Sequence, residues 1–322
     1  MDVRTALKNG IAQLRGADVA SYTLAAQLLL LHVLGRDRTY LYAHPEDSIS
    51  QRDEEGFFAL IARRIAGEPT QHLTGKQEFW GLEFEVTPDV LIPRPETEHV
   101  IEVALDRLAV REVRAGRPNK TDGAGLLIAD IGTGSGCIAI ALAKELPAAH
   151  FVATDICPAA LVVAGRNAVR HGVDDRMEFL EANLLDRTAV PDVGGELLSA
   201  RVVGSEPMIR DENSAQKFDV VVSNPPYIGR REAGTLAREV RDHEPTTALF
   251  GGEDGYELYA GLIAQAAAHL KPGGILVLEL GYNSLPAVQP LFDSEPWINV
   301  GVTNDLAGIP RVIAVEKVEG PN

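Results

Sequence analysis

Asn224-Pro225-Pro226-Tyr227 follows the run Phe218-Asp219-Val220-Val221-Val222-Ser223, and its residue types suit a flat nitrogen group. The β-branched stretch Val220 to Val222 reads as a buried strand, and two consecutive prolines end it because neither can donate to a sheet ladder. A strand that stops on Asn224 sets a carboxamide, proline-flanked carbonyls and an aromatic ring at the carboxyl end of a sheet, where open α/β folds place ligands. The Asn224 side-chain oxygen and the Pro225 carbonyl offer two acceptors, and the face of Tyr227 offers a platform for a planar guest, an NH2 group. The plainer reading is a rigid turn, since asparagine before proline favours one. A nucleoside-type loop upstream shifts the balance toward chemistry.

That loop is Asp130-Ile131-Gly132-Thr133-Gly134-Ser135-Gly136, between the apolar strand Leu126 to Ala129 and a helix from Cys137. Its glycines permit positive φ and let a ligand lie against backbone, while the helix start is expected to present open amides. Alone, the pattern serves dinucleotides equally well. The next strand, Phe151 to Asp155, ends on an acid about 20 residues past the glycines, the position that takes both ribose hydroxyls. Asp155 also reads as a helix cap before Pro158. A third strand, Met177 to Leu184, is expected to deliver Asn183 to an adenine edge and Leu184 to a ring face.

These elements need a frame. The chain has 322 residues, enough for two domains. Apolar residues recur at helical spacing from Val3 to about Gly67, for example Leu24, Leu28, Leu31 and Leu34, which predicts a helical bundle over residues 1–72, assigned to substrate docking. Residues 73–95 alternate around Gly81 and predict a β-hairpin linker. The catalytic domain is expected over 96–322, opening with an amphipathic helix for which Thr97 or Pro95 serves as a start. Arg111 to Gly125 reads as a polar connection, and Lys271 to Gly274 as a turn before a strand at Ile275. Residues 186–217 are polar, rich in Gly and Pro and without period, so they read as a mobile insertion.

The formal charge is −16. No dense basic run offsets it, so direct binding to nucleic acid is not expected. Cys137 and Cys157 have no metal-ligand spacing and read as small core residues of a reducing compartment, and no histidine is assigned to a metal. The amino terminus lacks a signal-peptide pattern, and the longest apolar run falls short of the roughly 20 residues needed to cross a bilayer. No membrane association and a cytoplasmic location are expected.

The order of strand, glycine loop, strand ending in Asp and strand ending in Asn-Pro-Pro-Tyr resembles class I S-adenosylmethionine-dependent methyltransferases acting on planar nitrogens. Within them the chain is most similar to the peptide chain release factor glutamine methyltransferase family. Gly75-x-x-Glu78-Phe79-Trp80-Gly81, Leu91-Ile92-Pro93-Arg94-Pro95-Glu96-Thr97-Glu98, Glu244-Pro245 and Asp305-Leu306-Ala307-Gly308 carry the likeness nearly end to end. The resemblance implies an α/β fold, a doubly wound, mostly parallel, seven-stranded Rossmann-like methyltransferase sheet. It implies S-adenosyl-L-methionine as cofactor, held by Gly132, Thr133, Gly134, Ser135, Gly136, Asp155, Asn183, Leu184 and Asn224. It implies release factors as partners, with the glutamine of their Gly-Gly-Gln loop methylated at Asn224, Pro225, Pro226 and Tyr227, of which Asn224, Pro225 and Tyr227 are catalytic. The family often has Asp where Asn183 stands, and the span before Lys217 is longer than its norm. A ribosomal-protein glutamine methyltransferase shares nearly the same site. An adenine-N6 nucleic-acid methyltransferase would flip its base into it, against the acidic charge. A non-enzymatic cofactor-binding protein has no feature in its favour.

Overall fold

In a computed structural model, residues 1–117, 122–186 and 217–319 are described. All but the two end residues of the insertion expected at 186–217 lie outside them. The chain divides into two compact units: Met1–Lys76 with Val86–Pro88 and Leu236–Glu244, and Gln77–Glu85 with Asp89–Thr235 and Pro245–Asn322.

The first unit carries α1 (Val3–Gly16), α2 (Tyr22–Leu34), α3 (Arg38–Ala43), α4 (Gln51–Ile65) and α5 (Thr70–Thr74). Asp2, Asp37 and Ser50 cap α1, α3 and α4 through side-chain oxygens, so local chemistry sets these helix starts. The expected face of α2 is corrected. Leu24 and Leu28 are 46% and 39% exposed, and Ala25, Ala26, Leu29 and Leu30 are buried beside Leu31, the one expected position that is inside. An almost wholly apolar helix has no polar face to orient it, so packing against α1 and α4 decides the side that is buried. Within this unit Arg64, nearly buried, pairs with Glu239 of the returning segment.

The hairpin of β1 (Lys76–Phe79) and β2 (Leu82–Glu85), turning at Trp80-Gly81, lies in the second unit from Gln77 onward. Then follow α6 (Glu98–Arg114), β3 (Leu127–Ile131), α7 (Cys137–Glu145), β4 (His150–Asp155), α8 (Pro158–His171), β5 (Met177–Glu181), β6 (Phe218–Ser223) and β7 (Ile228–Gly229). Past α9 (Arg238–His243), which lies in the first unit, come α10 (Thr246–Leu249), β8 (Phe250–Gly252), α11 (Glu257–His269), β9 (Leu270–Glu279), α12 (Leu285–Val288), β10 (Trp297–Asn304) and β11 (Pro310–Lys317).

Seven strands form one sheet in the order β10-β11-β9-β6-β3-β4-β5. The run from β9 to β5 is parallel, and β11 and β10 close it antiparallel. Both faces are covered. Val220 and Val222 of β6 pack into one core and Val221 into the other, all fully buried, which is why the strand reads as an unbroken apolar run. Each such side chain contributes roughly 1.5–3 kcal/mol on burial.

Three expected boundaries shift. Helix α6 runs through Arg114, because its polar last turn is paired: Arg114 with Glu316 at 2.9 Å, and the buried Glu112 with Arg117 at 2.7 Å. Lys271 to Gly274 sit inside β9 as an irregularity opposite Phe218 and Val220, with Gly273 at positive φ. Strand β5 stops at Glu181, since Leu184 takes φ 60° and Asn183 and Asp186 exchange backbone hydrogen bonds in a tight turn.

Candidate active site

Strand order reverses between β3 and β6, so the crevice at their carboxyl ends is where a ligand of an open α/β sheet lies. The Ser223 hydroxyl donates to the Ile131 carbonyl at 2.7 Å and ties those two ends together. Beyond Ile131 the glycine loop turns with Gly132, Gly134 and Gly136 at φ 70°, 55° and 82°. A Cβ on Gly132 or Gly134 would meet nothing within 4 Å, so backbone there borders open space, whereas one on Gly136 would press on Ile140 and Ala164.

The amides of the loop itself are largely spent within the protein. Gly132 and Thr133 donate to the Thr154 carbonyl at 2.8 and 2.9 Å, Gly134 to Asp155 Oδ2 at 2.9 Å, and Gly136 to the Thr133 carbonyl at 2.8 Å. The loop is thus built as a fixed wall. Asn167, fully buried in α8, stiffens it by donating to the Ser135 carbonyl while gripping both backbone groups of Glu85 on the hairpin.

A cavity of about 340 Å³ is lined by Gly132, Thr133, Gly134, Ser135, Asp155, Asn183 and Leu184 and by Asn224, Pro225 and Pro226. Of the residues expected at the site, Gly136 and Tyr227 are absent from that lining. Gly136 serves helix packing. The half-buried Tyr227 donates its hydroxyl to Glu279 at 3.2 Å and packs against the core that holds Val221. Asn224 donates through Nδ2 to the Thr97 hydroxyl at 3.0 Å, and among the described residues no donor meets its Oδ1 or the Pro225 carbonyl.

Thr97, Arg94, Ile156 and Phe250 also line the cavity. Ile156 gave a readable signal, an apolar side chain directly after a strand-ending acid, and is 54% exposed. Thr97, 127 residues from Asn224, gave none.

Burial sets the electrostatics. Asp130 and Glu279, both almost wholly enclosed, are each pushed up to about 7 by loss of solvation. Hydrogen bonds from Thr133 and Ala139 pull the first back, and hydroxyls of Thr97 and Tyr227 with the Arg311 charge pull back the second. Asp155 is also raised by burial, opposed by backbone donors at Cys157, Gly134 and Ile156. Burial drives the Cys137 thiol up to about 12 and leaves it unreactive. Among the described residues no cluster of His, Cys, Asp and Glu is placed to hold a metal ion, and no helix is long and apolar enough to cross a membrane.

A seven-stranded sheet with a glycine-loop cavity at its switch point defines a methyltransferase of the α/β class, and the family described as a methyltransferase domain matches residues 122–294. The family described as the PrmC N-terminal domain matches residues 5–75. The release factor glutamine methyltransferase of Koribacter versatilis is 42% identical over 317 residues, covering 98% of this chain and 99% of the relative. That of Chlorobaculum tepidum is 39% identical over 305 residues, covering 95% and 94%. A crystal structure of a release factor-specific protein-(glutamine-N5) methyltransferase from Alicyclobacillus acidocaldarius is 26% identical and covers 73% of this chain and 99% of that one, with a TM-score of 0.38. The chain belongs to the release factor glutamine methyltransferase family.

Proposed function

We propose that the protein methylates the side-chain amide nitrogen of the glutamine in the Gly-Gly-Gln loop of peptide chain release factors, with S-adenosylmethionine as methyl donor. One observation carries this reading: a single cavity joins the glycine loop and Asp155 to the acceptor pair of Asn224 and Pro225.

The residues present fit the cofactor. Gly132 and Gly134 leave open space beside their backbone, and the buried Ser135 Oγ and Asp130 Oδ1 behind the loop have no hydrogen-bond partner among the described residues. Asp155 accepts from Gly134 on Oδ2 and from Cys157 on Oδ1, and retains lone pairs for a ribose diol. Asn183 and Leu184 stand on the cavity wall for the base, with Ile156 beside Asp155. When bound, S-adenosylmethionine supplies an electrophilic methyl group on a positively charged sulfur.

A carboxamide nitrogen is a weak nucleophile because its lone pair is delocalised into the carbonyl. Asn224 Oδ1 and the Pro225 carbonyl accept the two amide hydrogens, orient the nitrogen and stabilise positive charge as it develops there. The methylated nitrogen is strongly acidic and loses its proton to water, so no side chain has to act as base. Docking of the factor is assigned to the helical bundle at 1–72.

Radiolabelled cofactor incubated with an intact release factor, with the same factor carrying a replaced loop glutamine, and with duplex DNA tests the assignment. Label on the intact factor alone is the expected result. Label on DNA would install the adenine-N6 reading, and label on the glutamine-replaced factor would move the acceptor elsewhere.

A further inference from the structure

Thr97 occupies the start of α6 but does not cap it: its side chain makes no capping hydrogen bond. It is only 2% exposed, so its hydroxyl must be used elsewhere, and it receives the Asn224 Nδ2 donor at 3.0 Å. We propose that Thr97 is the positioning residue for the methyl transfer, holding the amino end of the Asn224 carboxamide so that its oxygen faces the substrate nitrogen. This rests on the function proposed above and names what fixes the geometry of that site.

An amide turned by 180° about its terminal torsion fills nearly the same space, so packing alone does not choose which end faces the cavity. Only a neighbour that accepts and does not donate can choose. A hydroxyl does both, unless its own proton is committed. Here the Thr97 hydroxyl lies beside the buried Glu279 carboxyl on β9, the strand next to β6, and pulls that group back toward its charged form. With its proton directed to Glu279, Thr97 presents lone pairs to Asn224, and the inverted amide would set oxygen against oxygen. The same carboxylate accepts from Tyr227 at 3.2 Å, so one buried acid braces the Asn-Pro-Pro-Tyr segment at both ends. The arrangement needs an acceptor at Asn224 Oδ1 and would be pointless for a structural turn.

Thr97→Val keeps the shape and removes the hydroxyl, while Thr97→Ser keeps the hydroxyl. Steady-state methylation of a release factor by both variants is compared with Asn224→Ala and the Thr97→Val/Asn224→Ala pair, alongside binding of S-adenosylhomocysteine. Thr97→Val is expected to lower kcat about 100-fold, with KM for the factor and cofactor affinity within about 3-fold, as for one lost catalytic hydrogen bond. Thr97→Ser should recover kcat to within about 5-fold, and Thr97→Val should add nothing in the Asn224→Ala background, because it acts only through Asn224. The proposal is overturned by equal losses in Val and Ser, by loss of cofactor binding in Thr97→Val, or by additivity in the double variant. Asn224→Ala with full activity would remove the function proposed for Asn224 itself. Asn224→Ala inactive beside an active Thr97→Val would remove the role of Thr97 alone.

Discussion

Glu279 shows how a buried acid is tolerated at a site that must stay rigid. It stands on β9, which β6 and β11 flank, with Oε2 unpartnered among the described residues, and burial raises it to about 7. Between the ordinary glutamate range and that value the folded chain binds a proton that the unfolded chain releases. The stability tied to this proton is therefore present at low pH and lost as pH rises through about 7. Glu279→Gln keeps acceptor capacity for the Thr97 and Tyr227 hydroxyls without the charge. Its thermal midpoint should exceed that of the parent at pH 8, by a free energy on the order of 3 kcal/mol at most, and the two should converge near pH 5. Calorimetry across that range decides, and a constant difference at all pH values would refute the assignment. Asp130, raised in the same direction, keeps a residual slope in both proteins. Residues whose role depends on the next one or two in sequence, such as Asp155 and the glycines, were readable from their types. Glu279, Thr97 and Tyr227 acquire theirs from partners 52 and 127 positions away, which no local pattern encodes.

The segment Gly251 to Gly255 is held by close packing of backbone on backbone. Strand β8 pairs in parallel with β7, directly after Tyr227, and α10 contributes Thr246, Thr247 and Ala248 to the cavity wall. A Cβ on Gly251 would collide with the Pro226 carbonyl and stand 2.5 Å from the Gly255 carbonyl, and neither can rotate aside. Gly251→Ala must displace the Pro225-Pro226 backbone, and a shift of about 1 Å at a reacting group costs on the order of 100-fold in rate. Turnover should fall by that amount while cofactor affinity stays near wild type, since Gly132 and Asp155 are carried on β3 and β4. Unchanged turnover would mean that the two loops separate freely. Element types followed from periodicity for α1, α4 and the β6 strand. The buried face of α2, the end of α6 and the start of β9 did not, because each is set by a packing or ion-pair partner remote in sequence.

At the scale of the whole chain, the resemblance in the motifs carried the seven-stranded sheet and the cavity at its switch point, whereas the membership of Leu236–Glu244 in the first unit was invisible. Every residue lining the cavity lies between Asp89 and Leu262 and in the second unit. The first unit has its own core, built on Leu29, Leu30, Phe57 and Ile61, and contributes no side chain to that wall. Cofactor binding and recognition of a release factor should therefore come apart. A chain lacking residues 1–72 is expected to bind S-adenosylhomocysteine within about 5-fold of the parent, measured by calorimetry, because nothing that touches the cavity is removed. Its kcat/KM for an intact release factor should drop about 1000-fold, the scale of losing a large docking surface, and the loss should appear mainly in KM. A drop confined to kcat with KM preserved would place docking on the second unit, and the helical bundle would then serve another purpose. Retained binding with lost docking would make the N-terminal helices the source of substrate choice, with Asn224 supplying a chemistry common to any planar amide that reaches it.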